Sequence, residues 1–166
     1  MERTGNLRPF VETDLPAYLR WRNDPDVTQY LARPQLSVDD VRAWFEQIGN
    51  DRRYGIELNG RLVGYGVIEH IDATNKKCEV GVIIGEKDVW GKGLGRTAAR
   101  ELTRIAIQEL ALHRVLAVAS AENAASIACF KAAGFSEEGR LRDANYREGR
   151  FIDLVLLSVL SNEWKR

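Results

Sequence analysis

Apolar and polar residues follow two different periods along this chain, and each period predicts one class of element. Short segments that alternate, or that are continuously apolar, predict β-strands, whereas apolar residues three and four positions apart predict helices. The strand-like segments are 7–11, 54–58, 62–71, 79–84, 114–119, 135–141 and 151–160. Asn59-Gly60 separates the second from the third. This dipeptide is typical of a two-residue hairpin, so we expect those two strands to pair antiparallel.

Four segments between the strands carry the helical spacing. Thr13 is expected to cap a short helix that ends near 21–25, and Ser37, with Asp40 three residues later, to begin a second. The apolar stripe of the second helix is Val38, Val41, Trp44, Phe45 and Ile48. A long third helix should bury one face made of Leu94, Ala98, Leu102, Ile105, Ala106 and Leu110. Asn123 is expected to cap a fourth helix, with Gly134 at its left-handed C-terminal position.

The order of these elements predicts the fold class. Strand, two helices, three strands, helix, strand, helix and two strands make a mixed α/β layer around one sheet. A length of 166 residues is typical of one domain, and no internal repeat or linker divides the chain. We therefore expect a single domain over residues 1–166.

Composition and charge exclude several classes of protein. With 45% hydrophobic residues the chain is not disordered or collagen-like, and 24 basic against 24 acidic residues give no net field that would attract nucleic acid. Cys78 and Cys129 are far apart and have no metal-ligand spacing, which indicates free thiols and no metal site. The chain has no signal-like start and no apolar run of membrane-spanning length. We expect a cytoplasmic protein with neither a nucleic-acid nor a membrane partner.

One glycine-rich loop has the chemistry of an anion site. The segment Trp90-Gly91-Lys92-Gly93-Leu94-Gly95-Arg96 lies between a predicted strand and the predicted long helix. Free N–H groups at a helix start attract phosphate, glycines allow its close approach, and Lys92 and Arg96 add positive charge. A tight turn without a ligand is the alternative. A dinucleotide-binding domain would need a parallel sheet, and the Asn59-Gly60 hairpin argues against one.

Further motifs give this loop a context. They are the segments 112–115, 123–126, 131–135, 138–142, 150–153 and 162–164. Together with the loop they resemble the GCN5-related N-acetyltransferases (GNAT), and within them the ribosomal-protein N-terminal acetyltransferase-like (RimJ/RimL) branch, in which Trp90 often replaces the usual Gln or Arg. The resemblance covers 7–164 and implies a mixed, mostly antiparallel central sheet flanked by about four helices.

The resemblance also implies a co-substrate and the residues that bind it. The co-substrate is acetyl-CoA, without a metal, and the loop Trp90 to Arg96 would hold its pyrophosphate and pantetheine. Backbone groups of the splayed fourth strand would pair with pantetheine, at Val82, Ile83 and Ile84. Asn123 would touch pantetheine as well as cap its helix. Phe130 stands where many members of the family have a tyrosine that acts as the general acid.

Acetyl transfer to an amine also requires proton transfers. A lysine-like amine is mostly protonated at pH 7, so a carboxylate or a water that it orders must remove a proton. Glu79 is the first candidate and Glu69 the second, although a strand glutamate facing water is the simpler alternative. The leaving CoA thiolate needs a proton donor, and Ser126 is the hydroxyl nearest to the position of the missing tyrosine. It is the candidate to donate or to order a water, with an ordinary first-turn hydroxyl as the alternative. Cys129 has no readable His/Asp partner and is expected to pack rather than act as a nucleophile.

The predicted function is a direct transfer, in a ternary complex, from acetyl-CoA to a primary amine. The resemblance leaves the acceptor open between a protein N-terminus and a small amine. It places the acceptor near the segment between the first two helices, with Asp24, Asp26, Tyr30 and Arg33 as candidate contacts. His70 and His113 are expected to be structural. A homodimer is possible, and a non-catalytic acyl-CoA sensor is the alternative function.

Overall fold

Seven strands form one open sheet in the order β1-β2-β3-β4-β5-β7-β6. The computed structural model describes residues 5–31, 35–47 and 49–165. The strands are β1 (Asn6–Pro9), β2 (Arg52–Leu58), β3 (Arg61–Asp72), β4 (Lys77–Ile84), β5 (Arg114–Ser120), β6 (Ser136–Arg147) and β7 (Arg150–Leu160). The α-helices of the described residues are α1 (Leu15–Arg22), α2 (Pro25–Thr28), α3 (Val38–Glu46), α4 (Leu94–Arg104) and α5 (Ala124–Ala132). The long third helix of the prediction is α4 followed by a π-helical turn, Ile105–Glu109. The fold class and the mostly antiparallel sheet are as predicted, and the short α2 is one helix more than expected.

The two faces of the sheet are covered by different helices. α4 and α5 lie on the first face, where Leu102 and Phe130 join a buried cluster with side chains of β3, β4, β5 and β7 such as Ile68 and Leu157. α1 and α3 lie on the second face and bury Tyr18, Trp21 and Val41 against Tyr65 and Val67. Because strand side chains alternate between faces, neighbouring residues of β3 serve both cores.

One pair of strands is parallel, and it separates soon after it forms. β4 pairs with β5 at Lys77–Glu79 against Arg114–Leu116, and with β3 from Lys77 to Ile84. Beyond Glu79, β4 therefore continues without a strand partner on its β5 side, and β5 continues in the sheet with β7. The result is an opening in the middle of the sheet.

The capping of the first helix differs from the prediction. Thr13 lies in a 3-10 turn, Glu12–Asp14, and Asp14 is the residue that precedes α1. Asp14 is 5% exposed and accepts hydrogen bonds from Arg8 Nη1 at 2.6 Å, Arg8 Nη2 at 2.8 Å and the Val11 N–H at 2.9 Å. Burial alone would raise the pKa of this carboxyl, but these bonds outweigh it and hold the pKa below its ordinary value.

Other helix predictions are confirmed or corrected residue by residue. Ser37 and Asp40 form the expected capping box of α3, and Asn123 caps α5 by accepting from the Ser126 N–H at 3.0 Å. The stripe on α3 is partly wrong: Val41 is buried but Val38 is 59% exposed. Ile48 lies outside the described residues.

The C-terminal hairpin is longer than the sequence pattern suggested. β6 runs to Arg147 instead of ending at residue 141, and it forms one edge of the sheet. Its register against β7 shifts twice, between Glu137 and Gly139 and between Leu141 and Asn145. Bulges of this kind interrupt the period-two pattern, which explains why only the first half of the strand was predicted.

The ion pair between Arg8 and Asp14 gives a stability prediction. Asp14→Asn is expected to lower the free energy of unfolding by about 1–3 kcal/mol, because the guanidinium loses its charged acceptor in a partly buried site. Asp39→Asn is the matched control, since Asp39 is exposed in the first turn of α3. Urea unfolding at pH 7 measures both variants, and equal stability of D14N and wild type would contradict the assigned role.

The same pair predicts a dependence on pH. The pKa of Asp14 is lower in the folded chain, so its contribution is complete above the unfolded value of about 3.9 and is lost as the pH falls through the folded value. The stability difference between wild type and D14N should therefore shrink on acidification below about pH 4. Urea unfolding repeated from pH 3 to pH 7 tests this.

Candidate functional site

The start of α4 is a helix end without a side-chain cap. Its N-cap residue, Gly93, has φ +77°, and Gly91 two residues earlier has φ +74°. A side chain at either position would be strained by the backbone, although the space beside both is open. Because glycine has no capping group, the first N–H groups of α4 are left for an external acceptor. Such a helix start is compatible with an anion, and the assignment of residues 90–96 as a phosphate site stays a prediction.

Two side chains of the loop are tied back to the protein. The Trp90 indole N–H donates to the carbonyl of Ile84 at 2.8 Å, and Lys92 Nζ donates to the carbonyl of Asp88 at 2.7 Å. Trp90 thus connects the loop to the last residue of β4, an anchoring role that sequence reasoning missed. Arg61 further supports the segment before the loop through Asp88 and Glu86.

The free side of β4 presents the backbone of alternate residues. The Gly85 N–H donates to Val63, so in this antiparallel pair the backbone groups of residues 81 and 83 also face β3. Those of Val82 and Ile84 face the opening, where β5 has left. Of the three residues predicted to pair with a ligand, Val82 and Ile84 are therefore oriented for it, whereas the backbone of Ile83 bonds within the sheet.

Helix α5 borders the opening from the first face of the sheet. Asn123 and Ser126 are half-buried at its start, and Phe130 is 4% exposed, with its ring 5.2 Å from that of Phe135. The position of the usual tyrosine is therefore filled by a core side chain. Cys129 packs against Gly95, whose missing Cβ would lie 3.2 Å from its Sγ.

Neither cysteine is activated for nucleophilic chemistry. Burial raises the pKa of the Cys129 thiol, although the nearby Arg96 opposes the shift, and burial raises the pKa of Cys78 to about 12. A thiol of raised pKa carries little thiolate at pH 7. This agrees with a packing role for both.

Two carboxylates face each other where the opening begins. Glu79 is the last β4 residue that pairs with β5, and on its other side it is directly opposite Glu69 of β3. Glu79 Oε2 is 3.3 Å from Nδ1 of His70, and the Glu79 side chain is 29% exposed. By strand alternation both glutamates share the second face with Tyr65 and Val67.

Two of the predicted acceptor contacts near α2, Asp24 and Asp26, already form hydrogen bonds and ion pairs within the protein. Asp24 caps α2 by accepting from the Asp26 N–H, and Lys87 bridges Asp24 at 3.0 Å and Asp26 at 2.7 Å. The hydrogen bond from Lys87 lowers the pKa of Asp24. Tyr30 is exposed. Arg33 lies outside the described residues.

The β6–β7 hairpin is attached to the loop that precedes α5. Glu122, next to the cap residue Asn123, accepts hydrogen bonds from Arg147 at 2.9 Å and from Arg150. These arginines lower the pKa of the Glu122 carboxyl, with Arg150 contributing most. The hairpin end and the first turn of α5 are therefore held together.

Comparison with known proteins agrees with this geometry. The model of the acetyltransferase (GNAT) domain matches residues 6–136. The chain belongs to the GNAT acetyltransferase family. GNAT enzymes use acetyl-CoA as their co-substrate. Among the residues described, no group of three or more His, Cys, Asp and Glu side chains could hold a metal ion, and no helix is long and apolar enough to cross a membrane.

Individual GNAT relatives differ in their acceptors. The chain is 39% identical over 128 residues to the putative ribosomal N-acetyltransferase YdaF of Bacillus subtilis, covering 77% of this chain and 69% of YdaF. The ribosomal-protein-alanine N-acetyltransferase of Brucella melitensis has a TM-score of 0.80 at 29% identity, covering 93% and 99% of the two chains. The spermidine N-acetyltransferase of Vibrio cholerae, solved with CoA and spermine, has a TM-score of 0.89 at 22% identity, covering 96% and 97%.

The glycine loop yields a prediction for donor binding. Gly93→Glu should weaken acetyl-CoA binding by about 100-fold or more, because it places a negative charge beside the unpaired N–H groups of α4 that are predicted to bind phosphate. Gly149→Glu is the matched control, since Gly149 has φ +79° and the same open surroundings but lies in the β6–β7 turn. Isothermal titration calorimetry with acetyl-CoA measures both. An unchanged dissociation constant for G93E would refute the assignment.

Proposed function

We propose that this GNAT acetyltransferase moves the acetyl group of acetyl-CoA directly to a primary amine within a ternary complex. The observation that carries the proposal is the opening between β4 and β5. It has the uncapped start of α4 on one face of the sheet and the Glu69–Glu79 pair on the other. Donor and acceptor can approach such an opening from opposite faces without an intermediate on the protein.

The donor side is proposed to use backbone groups. Acetyl-CoA supplies an activated acetyl group as a thioester. The N–H groups around Gly93, Leu94 and Gly95, aided by Lys92 and Arg96, would hold its phosphates. The backbone groups of Val82 and the N–H of Ile84 would pair with pantetheine, while the Ile84 carbonyl stays bonded to the Trp90 indole. A free N–H of β4 would polarise the thioester carbonyl. Asn123 would contribute from the start of α5.

The acceptor side is proposed to use Glu79. Its carboxylate, directly or through a water, would take the proton that the ammonium form of the acceptor must lose before it attacks. Glu69 is directly opposite, and His70 holds the Glu79 carboxylate in place at 3.3 Å. Ser126 would donate a hydrogen bond to the leaving thiolate, or order the water that protonates it, because Phe130 has no hydroxyl and is buried.

The acceptor is proposed to be a protein N-terminus or a small amine. The relative with 39% identity supports the former, and the structural neighbour that binds spermine supports the latter by its fold alone. The acids at Asp24 and Asp26 are neutralised by Lys87. They therefore give limited support to a polycationic acceptor.

The general base can be tested by substitution. Glu79→Gln should lower kcat about 100-fold, within the range of general-base contributions, while acetyl-CoA binding stays unchanged. Glu69→Gln is the matched comparison on the neighbouring strand. Steady-state kinetics from pH 6 to pH 9 and calorimetry measure both effects. If only E69Q loses turnover, the base is Glu69, and wild-type turnover of both variants would remove the pair from the mechanism.

The acceptor class can be identified by a direct screen. The protein is incubated with acetyl-CoA and pooled polyamines, amino sugars, amino acids, aminoglycosides and short peptides with free N-termini, and products are detected by mass spectrometry. We expect a mono-acetylated amine. Acetyl-CoA binding without any product would contradict the enzymatic proposal and favour an acyl-CoA sensor.

A further inference from the structure

A buried guanidinium on α1 has no acidic partner in the described part of the chain. Arg22, the last residue of α1, is 5% exposed. Its Nη1 donates to the Tyr18 hydroxyl at 3.1 Å, its charge lies 5.8 Å from the centre of the Tyr18 ring, and its Nε is buried without an acceptor. Other arginines of the fold are paired with carboxylates, for example Arg8 and Arg114.

An unpaired buried charge is unfavourable for folding. Removing a guanidinium from water carries a desolvation cost that one neutral hydroxyl and the edge of an aromatic cluster compensate poorly. The Tyr18 ring is itself held firmly, stacked on Trp44 at 4.1 Å and edge-on to Tyr65 at 4.8 Å. A rigid donor group that lacks its anion is the arrangement expected of a binding residue rather than of a stabilising one.

The location of Arg22 is the acceptor side of the proposed enzyme. The preceding residue, Trp21, lies against Gly85 just beyond β4, and its indole N–H donates to Glu86 at 2.9 Å. Tyr18 lies on Tyr65, which shares its sheet face with Glu69 and Glu79. The start of α4, where the donor phosphates would bind, is on the opposite face. Arg22 is therefore separated from the donor site by the sheet.

The element that follows Arg22 lies near the surface, with Val27 packed against the cluster on the second face. α2 begins three residues later and contains no buried residue. Lys87 holds it through two ion pairs in which the partners are partly or largely exposed. Such surface ion pairs are weak and are screened by salt. The charged side of α2 is therefore weakly held, and Val27 anchors its other side.

We propose that Arg22 binds an oxyanion of the acceptor, so that the acceptor is an amine that also carries a carboxylate or a phosphate. This inference rests on the proposed N-acetyltransferase function and narrows its substrate class. A guanidinium offers forked N–H donors that match either oxyanion. The same charge disfavours spermidine and other polycations, whose additional ammonium groups would meet a second positive charge in a poorly hydrated site.

Matched acceptor pairs test the inference. Glucosamine 6-phosphate is compared with glucosamine, and an alanine-initiated tetrapeptide with a free C-terminus is compared with its C-terminal amide; spermidine is the polycation. For wild type we expect kcat/KM to be at least tenfold higher for the acceptor that carries the phosphate or the free carboxylate, in at least one of the two pairs. The phosphate and carboxylate arms identify which oxyanion is used. Turnover of each acceptor is measured with wild type, Arg22→Met, Arg22→Lys and Tyr18→Phe.

The variants separate binding from a structural role. In R22M the advantage of the oxyanion should disappear, with unchanged acetyl-CoA affinity and a melting temperature equal to or above that of wild type, because an unpaired buried charge is gone. R22K should retain part of the advantage, since it keeps the charge but not the fork. Y18F should retain most of it.

Several results would overturn the inference. The first is that wild type has equal kcat/KM for both members of each pair. The second is that R22M keeps the higher kcat/KM for the acceptor with the oxyanion. The third is that spermidine is the best acceptor. A lower melting temperature of R22M with an equal loss for every acceptor would show that Arg22 is structural.

Failure of the proposed N-acetyltransferase function would give a different result. If acetyl-CoA binds and no amine is acetylated, the enzymatic function fails. Calorimetry of glucosamine 6-phosphate and of the free-acid tetrapeptide in the presence of CoA then decides the inference independently. Binding to wild type that is at least tenfold weaker in R22M supports it, and binding that is equal in both, or absent, overturns it.

Discussion

The separation of β4 from β5 is the constraint on which the rest of the site depends. A parallel ladder normally continues until both strands end, but here it stops after three residue pairs. The unpaired backbone of β4 would be unfavourable in a closed core because buried N–H and C=O groups need partners. An opening bordered by α4 and α5 on one face and by Glu79 on the other lets a ligand supply those partners. The proposed donor would therefore complete this part of the sheet.

Much of the fold could be predicted because local signals agree with the tertiary structure. The Asn59-Gly60 hairpin, the Ser37 capping box and the Asn123 cap are confirmed where the sequence placed them. The errors have a common cause. Near Thr13, Arg8 forms hydrogen bonds with Asp14, and the helix begins one residue later than predicted, after Asp14. In β6, bulges hide the second half of a strand from a period-two pattern.

The site was predictable where chemistry depends on the backbone and less so where it depends on side-chain partners. Glycines at residues 91 and 93 predicted a tight loop before a helix, and both have the positive φ of such a loop; its use as a phosphate site stays a prediction. The Trp90 bond to Ile84 and the His70 contact with Glu79 depend on how a turn brings two side chains or backbone groups together, and Arg22 depends on burial. No local pattern marks them. The single-domain boundary, the cytoplasmic location and the homodimer stay predictions.

The sheet ends in a strand that would be hazardous if it were regular. β6 is twelve residues long, exposed over most of its length and unpaired along its outer side. A flat edge of this length could recruit further strands and lead to polymerisation. The two register shifts twist and interrupt the edge, and Arg140 and Arg142 place charge along it. The irregularity that hid this strand from its sequence pattern thus also protects the folded protein from aggregation through its own sheet.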